Sequence, residues 1–148
     1  MELDEIIYTA ILNNQTLASD TGGRIYSTCV EVPPMEDDNT QTPYIIVMEE
    51  ASQNDAGTKD NVWESATDIV NVGVVISAKT PNEVKRLRWL IRQAVGVQVE
   101  SMENPPYLHS LSYDGVAWDW QKPCYYDTLH YQCEIEHSIS EEYEQETK

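Results

Sequence analysis

"ATDIVNVGVVISAKTPNEVKRLRWLIRQAVG", residues 66–96, decides the architecture, because its hydrophobic period changes once, at Lys79. Val70, Val72, Val74 and Ile76 alternate with Asn71, Gly73, Val75 and Ser77, the two-residue period of a strand that buries one face. Beyond Lys79 the period becomes helical. Thr80 suits the N-cap, Pro81 the first helical position, Glu83 the third position of a capping box, and Gly96 the stop, which predicts a helix over 81–95. At about 100° per residue, Leu90, Ala94, Leu87, Ile91, Val84 and Val95 share one arc, which is expected to enter the core.

Outward from this pair, Leu3, Ile6, Ile7, Ala10 and Ile11 form the apolar stripe of a helix over 2–13, with Glu2, Asp4 and Glu5 complementing its dipole. "SDTGG" predicts a turn. "RIYSTCVEV" predicts a strand, "PPMEDDNTQTP" a polar loop and "YIIVMEE" a second strand, followed by a turn-rich stretch over 51–64 that Trp63 would anchor. After the basic helix, "VESMENPPYL" is expected to be a loop. "HSLSYDGVAWDWQ" fits either one long strand or a hairpin about Asp114-Gly115. Lys122-Pro123 marks a turn, and Leu129, Tyr131, Cys133 and Ile135 set one face of a last strand. The expected fold is therefore one α+β domain over 1–138, an antiparallel or mixed sheet of about five strands packed with two helices in the order α-β-β-β-α-β-β. Residues 139–148 are expected to be a frayed acidic tail.

Charge restricts the function. Nine Lys and Arg stand against 26 Asp and Glu, a net charge of −17. Such a surface repels nucleic-acid phosphates, so tight DNA binding is disfavoured. No stretch is long and apolar enough to span a membrane, and no secretory signal precedes the first helix, so a cytoplasmic location is expected. Cys29, Cys124 and Cys133 give no disulfide framework, and reduced thiols are expected. Asn14-Gln15-Thr16 matches a glycosylation sequon without the secretory context that would use it.

Against this background one segment stands out. Residues 79–92 carry five basic side chains against Glu83, a local +4 that leaves −21 on the rest of the chain. Lys85, Arg88 and Arg92 fall on one edge of the helix with Trp89 beside them. They would be a solvated face, a protein interface rich in the residue types that dominate binding energy, or a nucleic-acid contact. The double variant Arg88→Glu with Arg92→Glu is expected to keep the fold and impair assembly. One basic face on an acidic molecule complements a second copy, and such a heterologous contact closes into a ring when the rotation allows.

Catalysis is not expected. The cluster His130, Cys133 and His137 has metal-ligand residue types, but strand alternation turns His130 away from the other two, and Cys124 or His109 would have to complete a zinc site. No nucleophile elbow, phosphate-binding loop or dinucleotide fingerprint occurs, so neither a metal nor any other cofactor is expected. Acidic pairs such as Asp37-Asp38 and Glu49-Glu50 are expected to be surface charge.

The opening helix, "TGGRIYSTCVEVPP" and "TPYIIVMEE" resemble the tail-completion or tail terminator family of long-tailed bacteriophages and prophages, over residues 1 to about 138. The resemblance implies a non-enzymatic structural protein in the virion tail or neck, assembled in the host cytoplasm. It implies a homo-oligomeric ring, commonly a hexamer, that caps the tail tube, stops tube polymerisation and joins the tail to the head connector or stopper protein. An acidic lumen would let DNA pass without holding it. The alternative is an acidic protein-binding module, or another phage neck or accessory protein, that holds a basic partner.

Overall fold

The computed structural model describes residues 2–28, 42–54 and 67–136. Trp63, Cys29, His137 and the acidic tail of 139–148 lie outside them, as do the loop expected after the first strand and most of the 51–64 stretch. The elements are α1 (Leu3–Asn13), α2 (Gln15–Thr21), β1 (Ile25–Ser27), β2 (Tyr44–Glu49), β3 (Gln53–Asn54), β4 (Thr67–Ala78), α3 (Pro81–Glu100), β5 (Tyr107–Tyr113), β6 (Ala117–Asp119) and β7 (Cys124–Glu136).

The class is α+β, built on a mixed open sheet in the order β1-β2-β4-β7-β5, with β3 also pairing β4 and β6 also pairing β7. Among the described strands, only the β1–β2 pair is parallel. Its axis is an antiparallel ladder in which β4 and β7 pair residue for residue from Thr67↔Glu136 to Ala78↔Tyr125. The flanking strands are shorter. On one side β2 pairs with Val72 to Ser77 and β3 resumes at Asp68 and Ile69. On the other, β5 pairs with β7 from Glu134 to Leu129 and β6 from Tyr126 to Cys124.

Helices α1 and α3 cover one face of this sheet. Ile7 and Ile11 of α1 and Val84, Leu87 and Ile91 of α3 are fully buried against Ile45, Val47, Val72, Val74, Ile76 and Leu129. Each such aliphatic side chain contributes about 2–3 kcal/mol by leaving water. The inward faces agree with the sequence: Leu90 and Ile135 are half-buried against the cluster, and Tyr131 and Cys133 lie within it. Thr80 Oγ1 accepts the Glu83 amide at 3.2 Å, the expected cap of α3.

Four expectations are corrected. Between the first helix and the expected "SDTGG" turn, and running into that turn, lies α2, seven residues capped by Asn14, whose Oδ1 accepts the Leu17 amide at 2.9 Å, and ended by Gly22 at φ 60°. The sequon asparagine is thus a helix cap. Gly22 and Gly23 (φ 81°) then turn the chain into β1, and the Arg24 guanidinium donates to the carbonyls of Pro43 and Thr42 at 3.1 and 3.2 Å. Second, Gln53 and Asn54 form β3 rather than loop. Third, 107–119 is neither one continuous strand nor a hairpin about Asp114-Gly115, because β5 and β6 both pair with β7, end to end. Three residues, 114–116, lie opposite two of β7, which is a bulge. The order is accordingly α-α-β-β-β-β-α-β-β-β.

Fourth, Gly96 does not stop α3. The helix continues to Glu100 and ends on Ser101, whose Oγ donates to the Gln98 carbonyl at 2.6 Å. The extra turn packs Val99 on the core, which offsets the roughly 1 kcal/mol that a helical glycine costs. A methyl group at Gly96 would meet nothing within 4 Å. Gly96→Ala is therefore expected to raise stability by about 0.5–1 kcal/mol, seen as a melting temperature about 1–4 °C higher by circular dichroism.

Candidate assembly interface

The basic edge of α3 divides into internal and external parts. Arg88 Nη1 donates to Asp127 Oδ2 at 2.7 Å, and its guanidinium lies 4.4 Å from the Tyr113 ring centroid. Asp127 is fully buried, and its Oδ1 accepts the amides of Gly115 at 2.9 Å and Thr128 at 2.8 Å. The carboxylate thus fastens the 114–116 bulge to β7 while Arg88 fastens α3 to both. Arg86 pairs with Asp20 of α2. Lys85, Trp89 and Arg92 remain outward, with Trp89 55% exposed and Arg92 within 5.7 Å of its ring.

This corrects the expected tolerance of Arg88→Glu. A second carboxylate at that position would face a buried, uncompensated Asp127. Arg88→Met alone is expected to cost roughly 3 kcal/mol in chemical denaturation, because it strands a buried charge. Lys85 and Arg92 are the positions at which the outward charge is reversed without that penalty.

On the sheet face away from the helices, His130 joins the two interrupted columns. Its Nδ1 contacts both Glu50 oxygens at 3.0 and 3.1 Å, and its Nε2 contacts Asp114 Oδ1 at 2.9 Å. Glu50 follows β2 and Asp114 follows β5, so each carboxylate comes from a break in a flanking column. Gly73, the partner of His130 in the ladder, makes the approach possible, since a Cβ there would stand 3.0 Å from the Glu50 carboxyl carbon. Both ring nitrogens face carboxylates, an arrangement that the doubly protonated imidazolium satisfies. The Glu50 hydrogen bond, reinforced by Asp114 and opposed by partial burial, raises the His130 pKa above 6.5.

A third feature opens at the flank of the two layers. Between α1, α3 and strands β5 and β7, a cavity of about 210 Å³ is lined by Leu3, Ile6, Val99, Leu108, Leu111 and Tyr131, with Arg92 among its walls. The Tyr131 hydroxyl is buried and, among the described residues, has no hydrogen-bond partner. Around it β5 leaves Tyr107, Leu108 and Tyr113 68%, 49% and 39% exposed.

Among the described residues, the two thiols are held in the protonated direction. Burial pushes the Cys133 thiol up to about 11 and raises Cys124. His130 and Cys133 lie on opposite sheet faces, and no group of His, Cys, Asp and Glu suited to a metal occurs among the described residues. No described helix is long and apolar enough to cross a membrane. Sequence reasoning missed Glu50 and Asp114 as partners of His130 and Asp127 as the partner of Arg88; the one local sign was Gly73, a glycine inside an apolar strand, which signals a close approach.

The sign of the His130 effect follows from its raised pKa. The imidazolium contribution to stability is complete below pH 6.5, the unfolded value, and is lost as pH rises through the higher folded value. Melting temperatures measured upward from below pH 6.5 at constant ionic strength are expected to fall more in the wild type than in His130→Gln; equal slopes would disprove the role of the clamp. No protein-family model matches the chain, and no curated protein matches it.

Proposed function

We propose that the protein is a non-catalytic assembly subunit, a tail terminator or tail-completion protein of a phage or prophage, which forms a homo-oligomeric ring at the head-proximal end of the tail tube. The observation that carries this reading is the outward half of the α3 edge, Lys85, Trp89 and Arg92, beside an aromatic sheet edge on a chain of net charge −17. Trp and Arg concentrate binding energy where they can be desolvated, and the remaining acidic surface is their electrostatic complement. The "TGGRIYSTCVEVPP" and "TPYIIVMEE" segments supply the resemblance that names the assembly. In this reading the ring stops tube polymerisation and receives the head connector, and its negative charge keeps DNA moving through the lumen rather than bound.

Two measurements test it. Native mass spectrometry is expected to give one discrete oligomer, and Lys85→Glu with Arg92→Glu is expected to abolish it while leaving the far-ultraviolet circular dichroism unchanged. In cells producing the cognate tails, loss of the protein is expected to give tubes of uncontrolled length that fail to join heads, scored by electron microscopy. Tails of normal length and joining would overturn the terminator role. A saturable, salt-sensitive nanomolar complex with duplex DNA would point instead to a nucleic-acid contact.

A further inference from the structure

Trp120 sits at the turn between β6 and β7 and is 88% exposed, an unusual cost for the largest apolar side chain. It is not loosely placed. Its ring meets Trp118 edge-to-face at 6.0 Å, and Trp118 meets Tyr125 in turn at 4.9 Å, so a row of aromatic rings props the indole outward. Asp119 Oδ1 accepts the amides of Gln121 and Lys122 at 2.9 and 3.2 Å, which fixes the turn that carries it.

The flank cavity has the matching properties. A cavity of about 150 Å³ takes a benzene ring, so the 210 Å³ here has room for the two rings of an indole. Its lining is mostly aliphatic, joined by Cys133, Tyr131 and Arg92, and the last two suit an indole. The Tyr131 ring can pack against the indole, and Arg92 at the wall can lie over the indole face as it now approaches Trp89. Within one subunit the two features cannot meet. The turn adjoins Cys124, whereas the cavity adjoins Tyr131 and Cys133, seven and nine residues along the same extended strand, or roughly 23–30 Å at about 3.3 Å per residue.

We propose that the flank cavity is the socket for Trp120 of a second copy of this chain, so that knob and socket link subunits head to tail. The contact is heterologous, each copy giving one Trp120 and receiving one, and it therefore propagates until the rotation closes it. This deepens the reading of the protein as a self-assembling ring subunit and rests on it. It adds the residue that the neighbour contributes and the site that receives it. Arg92 stands in the wall of the socket, where its charge attracts the acidic body of the arriving copy.

The test uses two full-length variants with altered side chains at exposed positions. Trp120→Ala removes the knob, and Leu108→Arg blocks the socket with a charge. In sedimentation velocity each alone is expected to associate roughly a hundredfold more weakly than the wild type, the loss typical of removing a tryptophan hot spot. Mixed in equal amounts they retain one intact knob and one intact socket, so they are expected to form a one-to-one heterodimer that grows no further. If Trp120→Ala assembles like the wild type, this inference falls while the ring reading stands. If the mixture stays monomeric or grows beyond a dimer, the head-to-tail contact falls. A wild type that remains monomeric at every concentration overturns both.

Discussion

The fold depends on a mismatch of strand lengths. β4 pairs with β7 along its whole length, but no neighbouring segment is long enough to match them, so each outer column is laid down in two pieces. A broken column leaves backbone amides without ladder partners, and buried or half-buried amides must be satisfied somehow. The polar residues of the protein gather at these breaks. Beside Asn71 the Glu50 amide donates to the Asn71 carbonyl at 2.9 Å, and Ser52 Oγ accepts the Asn71 amide at 3.0 Å. Beside Asp127 the carboxylate accepts the Gly115 amide while the Asp114 amide reaches the Thr128 carbonyl at 3.2 Å.

Once the breaks are fixed in this way, the rest of the electrostatics follows. The two faces of β7 alternate, so Asp127 faces the helices and His130 faces away. Toward the helices the break places a fully buried carboxylate, and α3 must answer it with a cation, which is why Arg88 belongs to the interior although its neighbours on the helix edge do not. On the other face each break places a carboxylate beside the imidazole of His130. The same structural cause thus accounts for two charge clusters on opposite sides of one strand.

Most of the frame was legible in the sequence because it rests on short-range periodicity. The alternation from Val70 to Ile76, the arc from Val84 to Val95 and the stripe of α1 each report burial directly, and the buried residues match them. The breaks were not legible, since whether Asp114-Gly115 closes a hairpin or a bulge depends on what lies opposite, and β7 begins ten residues later. Arg88 was legible as a charge on a helix edge, but its partner Asp127 is thirty-nine residues away, beyond any local pattern. Gly96 misled because its cost is local whereas the Val99 contact that outweighs it is tertiary.

The breaks also constrain how the exposed edge can be used. An open strand edge invites another chain to pair with it, and natural edges are blunted by bulges that interrupt such pairing. β5 carries one register shift between Leu108 and Ser110 and ends at the 114–116 bulge, so a partner strand would find only Ser110 to Tyr113 in regular register. So short a ladder gives little specificity, because backbone pairing reads no sequence and slips easily over a few residues. In the proposed assembly, side chains would therefore select the partner at this flank. That requirement suits the features concentrated there: a lined cavity, a half-exposed Leu108, and arginine within reach of aromatic rings.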